Sequence, residues 1–264
     1  MLANWIAAPF RYRTLFLGFI NQEIRGRYAG SIGGILWTVI TPLFNMLMYL
    51  FVFSVVFKIR LKPMDTGTDS FVLFLLAGIL PWFAFSEAVG SSAGMFLDKA
   101  GLITKVAFPL EVIPLANVVV TFALNGIGFL FFLIYLMIEG YAHMAWLYVP
   151  IVSVIFMVFT LGIMVLLASL SVFVRDIQQF IGSAMFLWMY LTPIIYPITM
   201  LPEPLQILMK FNPMYSFTEL YHQLLLRHTI SFSLLGYATG YAIVSFLVGT
   251  WFYNKSRAAF ADVL

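Results

Sequence analysis

The chain has 264 residues, of which 62% are apolar and only 9% charged. Soluble domains carry roughly 25% charged residues, so this composition excludes an ordinary water-soluble globule and puts most of the surface against lipid. A net charge of +3 excludes the basic footprint of a nucleic-acid binder, and the absence of cysteine excludes a disulfide framework, a cysteine-based zinc cluster and a thiol nucleophile.

No basic segment precedes the first apolar stretch and no small-residue cleavage pattern follows it, so no cleaved signal peptide is expected. Residues 13–28 read as an amphipathic helix. Phe16, Leu17, Ile20, Ile24 and Tyr28 recur at helical spacing, while Thr14, Asn21, Gln22 and Arg25 fall elsewhere on the wheel. Such a helix lies in the membrane interface; the alternative is a plain extension of the first span. Spanning a bilayer takes about 20 apolar residues, and six stretches qualify: 34–57, 71–92, 110–138, 148–174, 177–196 and 234–253. Only Arg175-Asp176 separates the fourth from the fifth, which predicts a tight turn. The expected fold is all-α and integral to the membrane. Its divisions are an N-terminal segment over 1–32, a six-span domain over 33–254 and a tail over 255–264.

Lys and Arg placement orients the spans. With both termini inside, the inner segments hold Arg11, Arg13, Arg25, Arg27, Lys99, Lys105, Arg175, Lys255 and Arg257. The outer ones hold Lys58, Arg60, Lys62, Lys210 and Arg227. The larger inner set predicts cytoplasmic termini. After the fifth stretch, Pro193, Pro197, Pro202, Pro204 and Pro213 interrupt a chain that stays apolar. Broken apolar backbone at membrane depth is tolerated where protein buries it or where it lines a cavity. Two short re-entrant helices are therefore expected, over 203–211 and 216–227; an ordinary outer loop with a surface helix is the alternative.

Several short motifs run in register. Residues 27–42 read RYAGSIGGILWTVITP, with Arg27, Tyr28, Ser31, Gly34, Trp37 and Pro42. Residues 78–86 read GILPWFAFS and residues 102–115 read LITKVAFPLEVIPL. Arg175-Asp176-Ile177 and Asn212-Pro213-Met214 complete the set. Together they resemble the polysaccharide-export ABC permeases, the ABC-2 group that exports O-antigen, capsule and teichoic acid chains. The resemblance implies a bacterial inner-membrane homodimer with six spans per copy and cytoplasmic termini. It also implies two copies of a separate ATP-binding cassette subunit carrying ATP and Mg, and a polysaccharide cargo on undecaprenyl pyrophosphate. No Lys follows a Gly, so the chain has no phosphate-cradling P-loop; an ATP-driven role demands a partner, and no enzyme activity or cofactor is expected on this chain.

The resemblance places a coupling helix in 94–109, where Asp98, Lys99, Leu102, Ile103 and Lys105 mix rim charges with apolar anchors; a solvated loop is the other reading. Arg25 and Arg27, beside Tyr28, stand at headgroup depth, where guanidinium forks suit a lipid pyrophosphate or simply anchor the chain. Trp37, Phe44 and Phe51 recur every seven residues and share a helical face apart from a drift of about 20° per heptad. Such a stripe lines a sugar conduit, faces lipid or packs on another span. Tyr190, Tyr196 and Tyr215 near the outer end suit a glycan channel or an interfacial belt. Glu87 is an acid inside a span and must face protein, water or a donor; Glu111 reaches the interface. The three histidines have no metal-ligand spacing and read as surface or interfacial groups. Gly236 and Gly240 permit close helix approach. Competing functions are export of a drug or free lipid, an integral membrane glycan or acyl transferase, and an ion-coupled carrier.

Overall fold

The computed structural model describes residues 2–101 and 109–263. Among these residues the chain is all-helical, and the only extended pairing is an isolated bridge between Arg60 and Ser70. Five helices among the described residues are long and apolar enough to cross a membrane: Gly34–Val56, Phe71–Ser92, Val112–Ile138, Met144–Phe173 and Phe232–Ala259.

Helix α1 (Leu2–Arg11) buries Trp5, whose ring stands edge-on to Tyr253 at 5.2 Å and to Phe246 at 6.3 Å. Helix α2 (Arg13–Tyr28) has the expected bounds, and Phe16 and Ile20 of its expected apolar face pack on the core, but the packed stripe is rotated toward Phe19. Phe19 is its buried residue and Leu17 is exposed. The packed stripe carries Glu23 and Arg27, because donors and acceptors on neighbouring helices satisfy them there. The first span opens with a 3-10 turn at Gly34–Leu36, continues as α3 (Trp37–Leu50) and ends in a π-helical turn, Phe51–Val56.

A short helix, α4 (Pro63–Thr66), precedes α5 (Phe71–Ser92), the most enclosed span. Ser70 caps α5 by accepting from the Leu73 amide. Helices α6 (Val112–Ile138) and α7 (Val149–Phe173) flank it. Phe85 of α5 is fully buried against Phe156 and Phe159, each 5.8 Å away, and against Trp188, edge-on at 5.3 Å. Phe217 joins the cluster 4.6 Å from Phe156. Part of the aromatic load is therefore core packing.

The fifth stretch is shorter than expected. Helix α8 (Ile177–Tyr190) has 14 residues, about 21 Å at 1.5 Å per residue, against a hydrocarbon core of about 30 Å. Pro193 and Pro197 break the continuation toward residue 196. Helices α9 (Glu203–Met209) and α10 (Pro213–His222) follow, with α10 running into a π turn, Gln223–Arg227. The final span is α11 (Phe232–Ser256).

Glycines fix the α7–α11 crossing. A Cβ on Gly162 would overlap the Ser245–Phe246 backbone, and one on Gly249 would overlap the Gly162 carbonyl. Gly236 and Gly240 meet nothing within 4 Å, so the close approach of α7 and α11 belongs to the 162–249 pair.

Candidate functional site

A cavity of about 470 Å³ separates α3 from α5 and α6. Arg27 and Tyr28 close one side, Trp37, Thr38, Thr41 and Asn45 form the α3 wall, and Glu87 and Asn125 form the opposite wall. Pro42 packs on the bare backbone at Gly128, where a Cβ would come within 2.6 Å, so the kink-prone proline of α3 rests directly on α6.

Polar groups converge on the floor of this cavity. Arg27 Nη1 pairs with Glu87 Oε1, and Arg27 Nη2 donates to Thr121 Oγ1 at 2.5 Å. Asn125 Nδ2 donates to Glu87 Oε2 at 2.7 Å. The acid inside a span thus finds a guanidinium and an amide, which removes most of the cost of placing it there. Glu87 lies five residues before Ser92, about 7.5 Å along the helix, so the pair sits nearer one end of α5 than its middle. Burial raises the pKa of the Tyr28 hydroxyl, with Arg27 opposing and Glu87 adding; it remains a neutral donor and acceptor at the cavity mouth.

The two arginines separate. Arg25 is two residues from Arg27, on the other side of α2, and its Nε donates to Asn21 Oδ1 at 3.1 Å. Only Arg27 enters the cavity.

A sequence model of the ABC-2 type transporter matches residues 14–226. The chain belongs to the ABC-2 type transporter family. It is similar to the O-antigen export system permease protein RfbA of Myxococcus xanthus, 32% identical over 228 residues, which is 84% of each chain. A Klebsiella pneumoniae protein of the same name is 29% identical over 258 residues, 95% of each chain. The polysialic acid transport protein KpsM of Escherichia coli is 22% identical over 241 residues, covering 90% of this chain and 92% of that one.

In this ABC-2 chain the remaining expected residues fall into separate regions. Trp37 lines the cavity, whereas Phe44 and Phe51 do not and are 60% and 55% exposed. The heptad stripe therefore splits between the cavity wall and the outer face of the span. Tyr190 is exposed and stands edge-on to Phe186 at 5.0 Å, and the Tyr196 hydroxyl donates to the Tyr190 carbonyl at 3.0 Å. Tyr215 is half-buried on α10.

Lys99 turns inward: its Nζ lies 2.9 Å from Glu23 Oε1 and 5.2 Å from the Phe19 ring. Asp98 is exposed. Leu102, Ile103 and Lys105 lie outside the described residues.

Several site residues escaped sequence reasoning. Thr121 and Asn125 complete the Arg27–Glu87 network; a polar pair one turn apart in an apolar helix was the available signal. His222 is buried rather than superficial. It stacks on Phe74 at 4.0 Å, and its Nε2 donates to the Phe74 carbonyl at 3.0 Å. Gly78 leaves that ring its room, since a Cβ there would come within 3.1 Å of Nε2. Glu219 takes both Arg227 Nη1 at 2.6 Å and Nη2 at 3.2 Å. His143 and His228, distant in sequence, bring their rings to 4.9 Å.

Asn212 explains the Asn-Pro-Met motif. Its Oδ1 accepts from Trp188 Nε1 at 2.9 Å and from the Met214 amide at 3.1 Å. Its Nδ2 donates to Thr192 Oγ1 at 2.9 Å and the Leu191 carbonyl at 3.2 Å. One side chain thus caps α10 and closes the end of α8.

Proposed function

We propose that this chain is the membrane-spanning permease subunit of an ATP-driven exporter, and that its cargo is a polysaccharide carried on undecaprenyl pyrophosphate. Membership of the ABC-2 family and the names of its O-antigen relatives support the transport role. The chain works as a homodimer with two copies of a separate ATP-binding subunit, which holds ATP and Mg. In favour of a homodimer, the most apolar window of the first span has no buried residue, and Phe180, Phe186 and Leu187 of α8 stand 70%, 64% and 60% exposed. A second copy would cover both faces.

The full topology in this reading has six spans. Helix α8 and the proline-broken segment after it make the fifth crossing together, α9 and α10 are re-entrant, and both termini are cytoplasmic. The larger inner share of Lys and Arg supports that orientation. The segment around 94–109 meets the ATP-binding subunit through exposed Asp98 and through Leu102, Ile103 and Lys105, while Lys99, held by Glu23, braces the segment against α2. Tyr190, Tyr196 and Tyr215 lie along the outer part of the glycan's path.

The observation that carries the substrate reading is Arg27. It enters the cavity from one leaflet, is held by Glu87 and Thr121, and offers a fork that matches phosphate oxygens. An arriving pyrophosphate competes with Glu87 for the guanidinium. The complex purified with its ATP-binding subunit tests this. Arg27→Ala should lose lipid-glycan-stimulated ATPase activity by about tenfold or more, the worth of one charge-assisted contact, while Arg25→Ala keeps most of it. Equal losses in the two variants would reduce both residues to anchors. Full stimulation of Arg27→Ala would remove the pyrophosphate role.

A further inference from the structure

A second cavity, about 560 Å³, lies away from the Arg27 site, among the ends of three elements. Arg11 and Tyr12 supply one wall from the α1–α2 junction. Glu111, just before α6, supplies another. Tyr253 and Arg257, at the end of α11, supply the third. Two spans end here, so the cavity lies at the depth of phospholipid headgroups.

Its electrostatics are unbalanced. Glu111 is 7% exposed and pairs with Arg257 Nη1 at 3.3 Å. That is longer than the 2.7–2.9 Å of a tight charge-assisted bond. Tyr253 lines the same cavity beside Glu111 and Arg257. Arg11 has its guanidinium 5.5 Å from the Tyr12 ring centre. Two guanidinium groups against one carboxylate leave one positive charge in excess. The carboxylate, with roughly four lone-pair sites, keeps acceptor capacity for a hydroxyl donor.

We propose that this cavity binds the headgroup of an anionic phospholipid with one phosphodiester and free hydroxyls, the chemistry of phosphatidylglycerol. The phosphodiester supplies the one negative charge the cavity lacks and lies between Arg11 and Arg257. The headgroup hydroxyls donate to Glu111. Basic groups at span ends attract anionic lipid in general; the buried carboxylate adds selection, because it repels a second phosphate and rewards a hydroxyl donor. The bound lipid ties α1, the start of α6 and the end of α11 together. The proposal does not depend on the substrate reading, since it uses none of the residues around Arg27.

Native mass spectrometry of the delipidated full chain, with phosphatidylglycerol, phosphatidylethanolamine, phosphatidylcholine or soluble glycerol phosphate added, reads it directly. Phosphatidylglycerol should be retained about tenfold better than the two zwitterionic lipids. Glycerol phosphate should compete weakly, because it lacks acyl chains. Arg11→Gln, at an exposed side chain, should fold normally and lose most of the retained phosphatidylglycerol. With cardiolipin, which carries two phosphates, added as a further probe, Glu111→Gln should narrow the preference for phosphatidylglycerol over it, and a thermal melt of each variant checks that it is folded. Equal retention of all three phospholipids, or unchanged retention in a folded Arg11→Gln, overturns the proposal. Competition by glycerol phosphate as strong as by the lipid would replace it with a soluble-anion site.

Discussion

Glu87 and Arg27 show how one ion pair on a cavity wall organises the groups around it. Each ionised group makes the other tolerable at membrane depth, and Asn125 and Thr121 absorb the remaining hydrogen-bond capacity. Glu87 keeps 43% of its side-chain surface exposed, which moderates the energy. A double-mutant cycle of Arg27→Gln and Glu87→Gln should give a coupling on the order of 1 kcal/mol, read from thermal unfolding in detergent. Additive losses would mean that the pair does not act as a unit. Asn212 carries more weight for stability. Asn212→Ala abandons the Trp188 indole and two backbone partners, and should cost about 2–3 kcal/mol; Asn212→Asp, which keeps both acceptor roles, should cost less in the same melt. His228 is a third case. Burial of its ring, and next the charge of His143, hold its pKa below the usual 6.5. The unfolded chain therefore takes up this proton first as pH falls. The stability linked to His228 is complete above about pH 6.5 and is lost as pH drops through the lowered native value. The melting temperature should fall between pH 7.5 and 5.5. His228→Asn, which tolerates the left-handed backbone at φ 58°, should flatten that slope.

At the scale of elements, glycine position decides which helices touch. The α7–α11 seam needs a bare backbone at both Gly162 and Gly249. Gly249→Leu should therefore separate the two helices and cost about 1–3 kcal/mol or more through overpacking. Gly236→Leu, facing open space, should leave the monomer's melt unchanged. A fold that tolerated both equally would contradict the crossing. Most element bounds were legible beforehand: 71–92 matches α5 end for end, and 110–138 and 148–174 differ from α6 and α7 by one or two residues. Apolar length and flanking polar residues specify those ends locally. The packed face of α2 was legible only in part: Phe16 and Ile20 pack inward as expected, but the stripe also includes Glu23 and Arg27. Hydrophobic periodicity assigns charged residues to the outside unless partners on other helices are known.

Among the apolar surfaces that the described residues leave uncovered are the first span and α8. In the homodimer reading these surfaces meet their copies. The chain contains no cysteine, so single cysteines introduced at Phe44 or Phe186 report on that arrangement without background. Oxidation in membranes should give a covalent dimer from at least one of them. Only monomer from both, with each cysteine accessible to a maleimide, would show that these faces meet lipid instead. The aromatic content reads differently at this scale. Phe85, Phe156, Phe159 and Phe217 are enclosed in the core, so they are unavailable to a sugar chain, whereas Trp37 remains on a cavity wall.

Composition and periodicity by themselves determined that this is an all-helical membrane protein, where most of its spans begin and end, and, through short motifs kept in register, its kinship with the ABC-2 exporters. Helicity and span limits depend on transfer of local segments into lipid, each segment carrying its own share of that free energy, whereas the kinship rests on residue identities within the motifs. Only the tertiary structure decided that Glu87 meets Arg27 across 60 residues, that Arg25 turns away, that His143 meets His228, and that Gly162 and Gly249 rather than Gly236 and Gly240 make a close crossing within the copy. A polar or glycine residue gains its role from a neighbour distant in sequence, and hydrophobic spacing carries no record of which neighbour that is.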